Sequence, residues 1–214
     1  MHGCDLPLYL TGGTALSRKY FQHRYSDDLD FFTNDEPGFS EIITRAFQTL
    51  EAGQKSGEYS MERNLFRKDT HFMQVYLRHA SDTLLKIDFV NDVPFRVGEI
   101  VEDPVLGRVD HWRNILSNKL SALTRMEPKD IADIWAICRN CTFFWPEIME
   151  EALQKEIGID PAVCAGILLS ATTEEISAVK WAMPINPDDV MKELRLIAEE
   201  MIRGNDNSLT GQIT

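Results

Sequence analysis

The 214-residue chain predicts an α/β (α+β) fold, with a mixed β-sheet and flanking helices in the N-terminal half and helices alone in the C-terminal half. Three observations carry this. A strand, a double-glycine turn, a helix and a second strand are readable between Tyr9 and Thr33. Runs with strand-like alternation lie between Tyr59 and Val101. Beyond Pro104 and Gly107 the pattern changes from strand to helix spacing.

Taken in order, Leu8, Tyr9 and Leu10 read as the end of a buried strand, stopped by Gly12-Gly13. Thr14 is a candidate N-cap, and Ala15 to Gln22 read as a helix. A glycine turn at a helix N-terminus presents free backbone N–H groups, which favour an anion such as a phosphate. The acid-bearing strand Asp28-Leu29-Asp30-Phe31-Phe32 follows. In Phe39–Leu50, Phe39, Ile42, Ile43, Ala46, Phe47 and Leu50 form one helical stripe. After a polar loop at residues 51–57, strands are expected at 59–66, 72–77 and 84–90, with a short one near 95–101. Asp69-Thr70 and Ala80-Ser81-Asp82 suit the turns between them. Helices are expected at 109–125, 128–138, 143–157, 161–170, 173–181 and 187–203, with a polar, frayed tail from Gly204. The expected division is a domain of residues 1–103 and a helical domain of residues 104–214.

Apolar residues make up 43% and charged residues 26%, the balance of an ordinary soluble globular protein. No apolar run is long enough to span a bilayer and no signal peptide is present, so no membrane role is expected. Cys4, Cys138, Cys141 and Cys164 make no disulfide framework, and the expected compartment is a reducing cytoplasm. Cys138 and Cys141 form a C-x-x-C without the second pair or spaced histidines that zinc would need, so apolar packing explains Cys138 better. His71, His79 and His111 are isolated, and Phe143, Phe144 and Trp145 read as core or domain interface rather than a base-stacking platform. A net charge of −12 argues against non-specific nucleic-acid binding over the whole surface. A local basic patch at Arg18, Lys19, His23 and Arg24 remains open.

Along a strand, Asp28 and Asp30 share one face while Leu29 and Phe31 point into a core. Neighbouring carboxylates repel unless a positive charge sits between them, and a divalent ion is the usual solution. A solvated strand end would explain one such D-x-D alone; the phosphate-binding turn upstream tips the reading toward chemistry. On strand 84–90, Leu85, Ile87 and Phe89 share one face, and Lys86, Asp88 and Val90 the other. Asp88 is either a third functional carboxylate or an edge acid paired with Lys86.

GGTAL followed by HRYSDDLDFF resembles the nucleotidyltransferases of the AbiEii/AbiGii toxin type, within the DNA polymerase β-like nucleotidyltransferase superfamily. Their pattern is a hydrophobic residue, Gly, Gly or Ser, a spacer, then Asp-hydrophobic-Asp-hydrophobic, with a third carboxylate on a later strand. Thr11 stands here where a hydrophobic residue is usual. NKLSALTRMEPKDIADIWAI also looks like the family, with Lys119, Arg125, Asp130 and Asp133 at its charged positions.

The resemblance implies metal-dependent transfer of NMP from an NTP to an acceptor hydroxyl. The phosphates would bind at Gly12, Gly13 and Thr14, and Mg²⁺ or Mn²⁺ would be held by Asp28, Asp30 and Asp88. Asp88 would also help activate the acceptor, and Lys119, with Arg24 and Asp130, would line the nucleotide site. The helical domain would complete the cleft. RNA, notably a tRNA 3′ end, is the implied acceptor, and a cognate antitoxin the implied protein partner of a type IV-like toxin–antitoxin or abortive-infection system. The alternatives are an inactive nucleotide- or partner-binding module of the same fold, or a metal-dependent hydrolase. For Asp130 a helix-start acid, and for Lys119 a solvated helix face, are the competing readings.

Overall fold

The computed structural model describes residues 6–211. The chain divides into two compact units, one formed by the chain up to Ala15 with Asp27–Asp110, the other by Leu16–Ser26 with the chain from His111 onward.

The first unit is a mixed sheet with one long helix. Its elements are β1 (Tyr9–Thr11), α1 (Gly12–Ala15), β2 (Asp28–Asn34), α2 (Phe39–Gly53), β3 (Tyr59–Met61), β4 (Arg67–Lys68), β5 (Phe72–His79), β6 (Leu84–Asp92), β7 (Val101–Asp103) and β8 (Gly107–Val109). The strand order is β3-β5-β6-β2-β1-β8-β7, with β4 paired to β5. Strand β2 runs parallel to β6 and antiparallel to β1, which is itself parallel to β8.

Alternation sorts the side chains. Ile87, Phe89, Met73, Val75 and Leu77 are buried in one cluster with Phe39, Ile42, Ile43, Ala46 and Leu50 of α2, and Leu29 and Phe31 pack on it. The Phe31 and Phe89 rings stack with centroids 5.7 Å apart. Fully burying one such apolar side chain is worth roughly 1.5–3 kcal/mol, so this stripe carries α2 although Gly38, at its N-cap, supplies no side-chain hydrogen bond. Residues 28, 30, 86, 88 and 74 alternate with these apolar positions and so stand on the sheet's other face.

Several expectations for this unit need correction. The first helix begins at Gly12, so Thr14 lies inside it and is no N-cap. The strand expected at 59–66 is strand over Tyr59–Met61, followed by a 3₁₀ turn at Arg63–Leu65, and β4 begins just beyond it at Arg67. The loop expected from residue 51 is still helical to Gly53 and then 3₁₀ to Ser56. Residues 95–100 are not strand; pairing begins at Val101, in a hairpin with β8.

The second unit holds a π-helical turn at Leu16–Phe21 and then α3 (Trp112–Ser121), α4 (Pro128–Asn140), α5 (Trp145–Leu153), α6 (Pro161–Ser170), α7 (Thr173–Ala178) and α8 (Pro187–Arg203). The helix expected at 109–125 is thus shorter, with strand before it and a 3₁₀ turn at Leu123–Arg125 after it. The helices expected at 143–157 and 173–181 are also shorter. Helices α6 and α8 start where their caps dictate: the Asp160 carboxylate accepts from the Ala162 and Val163 N–H groups, and the Asn186 side chain from that of Asp188. Gly204 ends α8 in the left-handed conformation, φ 64°.

Among the described residues beyond Gly204, the tail is anchored rather than frayed. Asn207 is buried, its side-chain N–H groups donate to the carbonyls of Cys138 and Cys141 at 2.7 Å, and Leu209 is buried beside it. Cys138 packs at the end of α4 and Cys164 in α6, all three described cysteines are free, and burial pushes the Cys141 thiol up to about 12. Cys4 lies outside the described residues. Phe143 and Trp145 meet edge to face within the core, whereas Phe144 is exposed. Among the described residues no helix is long and apolar enough to cross a membrane.

Candidate functional site

In the sheet unit, the parallel register of β2 and β6 sets Asp30 opposite Asp88 and Asp28 opposite Lys86. Side chains at matched positions of neighbouring strands share a face. The Lys86 ammonium therefore reaches both flanking acids, lying 3.1 Å from Asp88 Oδ2 and 3.3 Å from Asp28 Oδ2. Burial pushes this ammonium toward neutrality, but its hydrogen bonds and charge interactions with Asp88 and Asp28 outweigh that and raise its pKa. Gln74, opposite Asp88 on β5, donates to Asp88 Oδ1 at 2.8 Å. Asp88 is thus held at both oxygens, one by an amide and one by an ammonium.

Gly12 is required by its neighbour. Its φ is +69°, and a Cβ there would overlap the Asp30 carboxylate. The closest approach to this turn is therefore made by one of the acids. The Thr14 hydroxyl donates to the Asp28 carbonyl, tying the first helical turn to the start of β2. Gly12→Ala should cost about 1–3 kcal/mol of stability, from left-handed strain plus the displaced carboxylate. Urea denaturation measures this, and an unchanged midpoint would contradict it.

Thr11, the departure from the family pattern, donates its hydroxyl to the Asp110 carboxylate at 2.7 Å. Asp110 is fully buried, with the Arg96 guanidinium 3.7 Å away. A hydrophobic residue at position 11 would leave one oxygen of that acid without its hydroxyl donor.

The second unit contains an ion cluster around Asp133, which is 0% exposed. Arg24 grips it with two bonds, Nε to Oδ1 and Nη2 to Oδ2, each 2.7 Å. His23 Nε2 lies 2.7 Å from Oδ1, and Lys119 Nζ lies 2.7 Å from Oδ2 and 2.5 Å from Asp130 Oδ1. An ionised carboxylate only accepts, so His23 presents an N–H from Nε2. Burial works against the Asp133 charge, yet Lys119, His23 and Arg24 hold its carboxyl far below the usual range. Burial likewise opposes the Lys119 charge, and Asp133 and Asp130 overcome it, so its pKa is raised. Backbone pairing holds the cationic segment in place: Tyr25 N–H donates to the Lys180 carbonyl at 2.7 Å and Ala182 N–H to the His23 carbonyl at 3.0 Å.

His23 and Arg24 are consequently buried, at 1% and 5% exposure, and form no surface patch with the exposed Arg18. Lys119 is no solvated surface lysine either, its side chain being 12% exposed. Arg125 is exposed. The sequence-predicted residues thus form two sets. Gly12, Thr14, Asp28, Asp30 and Asp88 lie around one sheet face with Gly13 buried beside them in α1, and Arg24, Lys119 and Asp130 gather about Asp133. Gln74 and Asp110 carried no motif, and Asp133, though it stands at one of the family's charged positions, gave no sign in the sequence that Arg24 and His23 would close on it.

Three carboxylates on one face of the adjacent strands β2 and β6 supply the hard oxygen donors that Mg²⁺ or Mn²⁺ prefers. Among the described residues no three His, Cys, Asp or Glu side chains already converge on one point, and Lys86 stands between Asp28 and Asp88. The donor chemistry fits a divalent ion, provided that this ammonium moves.

The family model for the nucleotidyl transferase AbiEii toxin, type IV TA system, matches residues 2–199. The fold is similar to that of MenT4, nucleotidyltransferase toxin Rv2826c from Mycobacterium tuberculosis H37Rv, at 16% identity and TM-score 0.59, covering 92% of this chain and 76% of that one. It is also similar to a protein from H. pylori provisionally described as a nucleotidyltransferase, at 18% identity and TM-score 0.58, covering 93% and 88%. A third structure, JHP933 from Helicobacter pylori, aligns at 18% identity and TM-score 0.53, covering 93% and 85%. No curated protein matches the chain.

Proposed function

The chain belongs to the AbiEii nucleotidyltransferase toxin family of type IV toxin–antitoxin systems, and from that premise we propose that it moves NMP from an NTP to an acceptor hydroxyl, with RNA, notably a tRNA 3′ end, as the acceptor. The observation that carries this is the in-register set of Asp28, Asp30 and Asp88 on one face of two adjacent strands. On this reading those carboxylates hold Mg²⁺ or Mn²⁺, whose chemistry is to neutralise charge developing on the α-phosphate and on the leaving pyrophosphate. Asp88, held by Gln74, accepts the proton of the acceptor hydroxyl as that oxygen bonds to the α-phosphorus. The bond to the bridging oxygen breaks and pyrophosphate departs. Gly12, Gly13 and Thr14 orient the phosphates through backbone N–H groups. Lys119 supplies positive charge to the triphosphate, with Asp130 fixing its ammonium. Arg24, bonded to Asp133, steadies the nucleotide site indirectly. A cognate antitoxin is the protein partner that the family implies.

Incubating the protein with each labelled NTP, Mg²⁺ or Mn²⁺ and total RNA tests the reading. Label on RNA supports transfer, whereas free nucleoside phosphate alone would indicate hydrolysis and overturn the acceptor assignment. In the same assay Lys119→Ala should lower kcat/KM by on the order of ten- to a thousandfold, one to a few kcal/mol of transition-state stabilisation. Activity equal to wild type in a folded variant would limit Lys119 to its part in the ion cluster.

A further inference from the structure

We infer that Lys86 is a tethered counter-cation that holds the place of the divalent ion between Asp28 and Asp88 and must withdraw when that ion binds. The inference rests on the metal reading above and adds a residue which that reading does not use. Its ground is geometric. The Lys86 ammonium sits within ion-pair distance of one oxygen from each of two carboxylates, on a strand face that also carries Asp30. A divalent ion held by these carboxylates would compete with the Lys86 ammonium for their charge, and two cations repel at such close quarters. Lys86 is equipped for both arrangements. Its side chain is about a quarter exposed, so a route to solvent exists, and a long flexible stem can carry its charge outward without moving the strand. Asp88 stays oriented when the ammonium leaves, because its other oxygen still accepts from Gln74.

Two consequences follow for the protein without nucleotide or RNA. Lys86 offsets repulsion among the acids in the absence of metal, and it competes with metal for their oxygens. Removing its charge should therefore weaken the metal-free protein and tighten metal binding. A structural lysine with no part in metal exchange would produce the first effect but not the second.

The test is Mn²⁺ titration of the full chain by calorimetry or electron paramagnetic resonance, comparing wild type with Lys86→Met and Lys86→Gln. The glutamine variant retains hydrogen bonding to Asp88 should the methionine variant fold poorly. The expected result is Mn²⁺ binding tighter by about tenfold or more in both variants, as relief of one nearby positive charge requires. Their Tm should be lower than wild type in chelator and rise more than wild type does on adding Mn²⁺. Acylation of wild-type Lys86 by an amine-reactive ester, followed by mass spectrometry, should become faster when Mn²⁺ is present. Equal or weaker Mn²⁺ affinity in both variants would overturn the role of Lys86 while leaving the carboxylate metal site standing. Mn²⁺ binding by none of the proteins at millimolar concentration would overturn the metal reading itself, and this inference with it.

Discussion

Asp30→Ala is expected to lower kcat/KM for nucleotidyl transfer by about 10³-fold or more, the loss of several kcal/mol of charge stabilisation in the transition state, while the sheet unit stays folded. The two halves of this expectation have separate causes. Asp30 is in register with Asp88 and shares its face with Asp28, so losing it removes one donor from a three-carboxylate set. The same change takes a negative charge away from a face crowded with acids, which relieves repulsion. Its carboxylate covers Gly12, and alanine leaves only a small gap there. Transfer of labelled nucleotide to RNA and thermal melting in chelator report the two effects independently. Activity within tenfold of wild type, in a variant with wild-type Tm, would remove Asp30 from the chemistry.

Asp133→Asn is expected to act the other way, on stability first. Asp133 is fully buried, with Arg24, His23 and Lys119 all directed at its two oxygens. Asparagine fits the space but carries no charge, so the Arg24 guanidinium and the Lys119 ammonium stay buried with Asp130 as the nearby acid. Breaking a buried pair in this manner costs about 3–5 kcal/mol, a fall in Tm on the order of 10 °C for a chain of this size. A Tm within 2 °C or so of wild type would show that the helical unit does not depend on this cluster.

The cluster also sets a pH window. Asp133 has a depressed pKa in the folded state, so its stabilisation is present above the unfolded value near ~4 and is lost as pH falls toward the folded one. Lys119 has a raised pKa, so its contribution is full below the unfolded value near ~10.4 and is lost as pH rises through the folded one. Both shifts describe one set of contacts and do not add. Wild-type stability should therefore drop more steeply below pH ~4 than that of Asp133→Asn, which denaturation midpoints across pH would show.

The sheet face was legible in the sequence because a strand's period of two is local information. Leu29 and Phe31 against Asp28 and Asp30, and Ile87 and Phe89 against Lys86 and Asp88, separate by alternation alone. The bounds of α6 and α8 were legible for a similar reason, since Pro161, Pro187 and Gly204 are chemical signals at the ends themselves. What stayed hidden depends on partners distant in sequence. Arg24 reads as a surface cation until Asp133, 109 residues on, accepts it. Thr11 looks misplaced until Asp110 is set beside it, and Gln74 is one polar strand residue among many until register brings it to Asp88. The tail looked frayed because Asn207 is polar, but its amide bonds backbone carbonyls at the end of α4 and just beyond it.

The detour of Leu16–Ser26 into the helical unit has a consequence for biosynthesis. A ribosome elongates at about 5–20 residues per second, so roughly five to twenty seconds separate the emergence of Arg24 from that of its carboxylate partner. Throughout that interval the nascent chain carries an unburied guanidinium and imidazole within a segment whose backbone partners at residues 180–182 come later still. The N-terminal unit is interrupted by residues that cannot find their native place until Asp133 and residues 180–182 have been made. Truncated products that stop anywhere short of Asp133 therefore lack the acid on which this segment closes, and a partly translated toxin is an unfinished one.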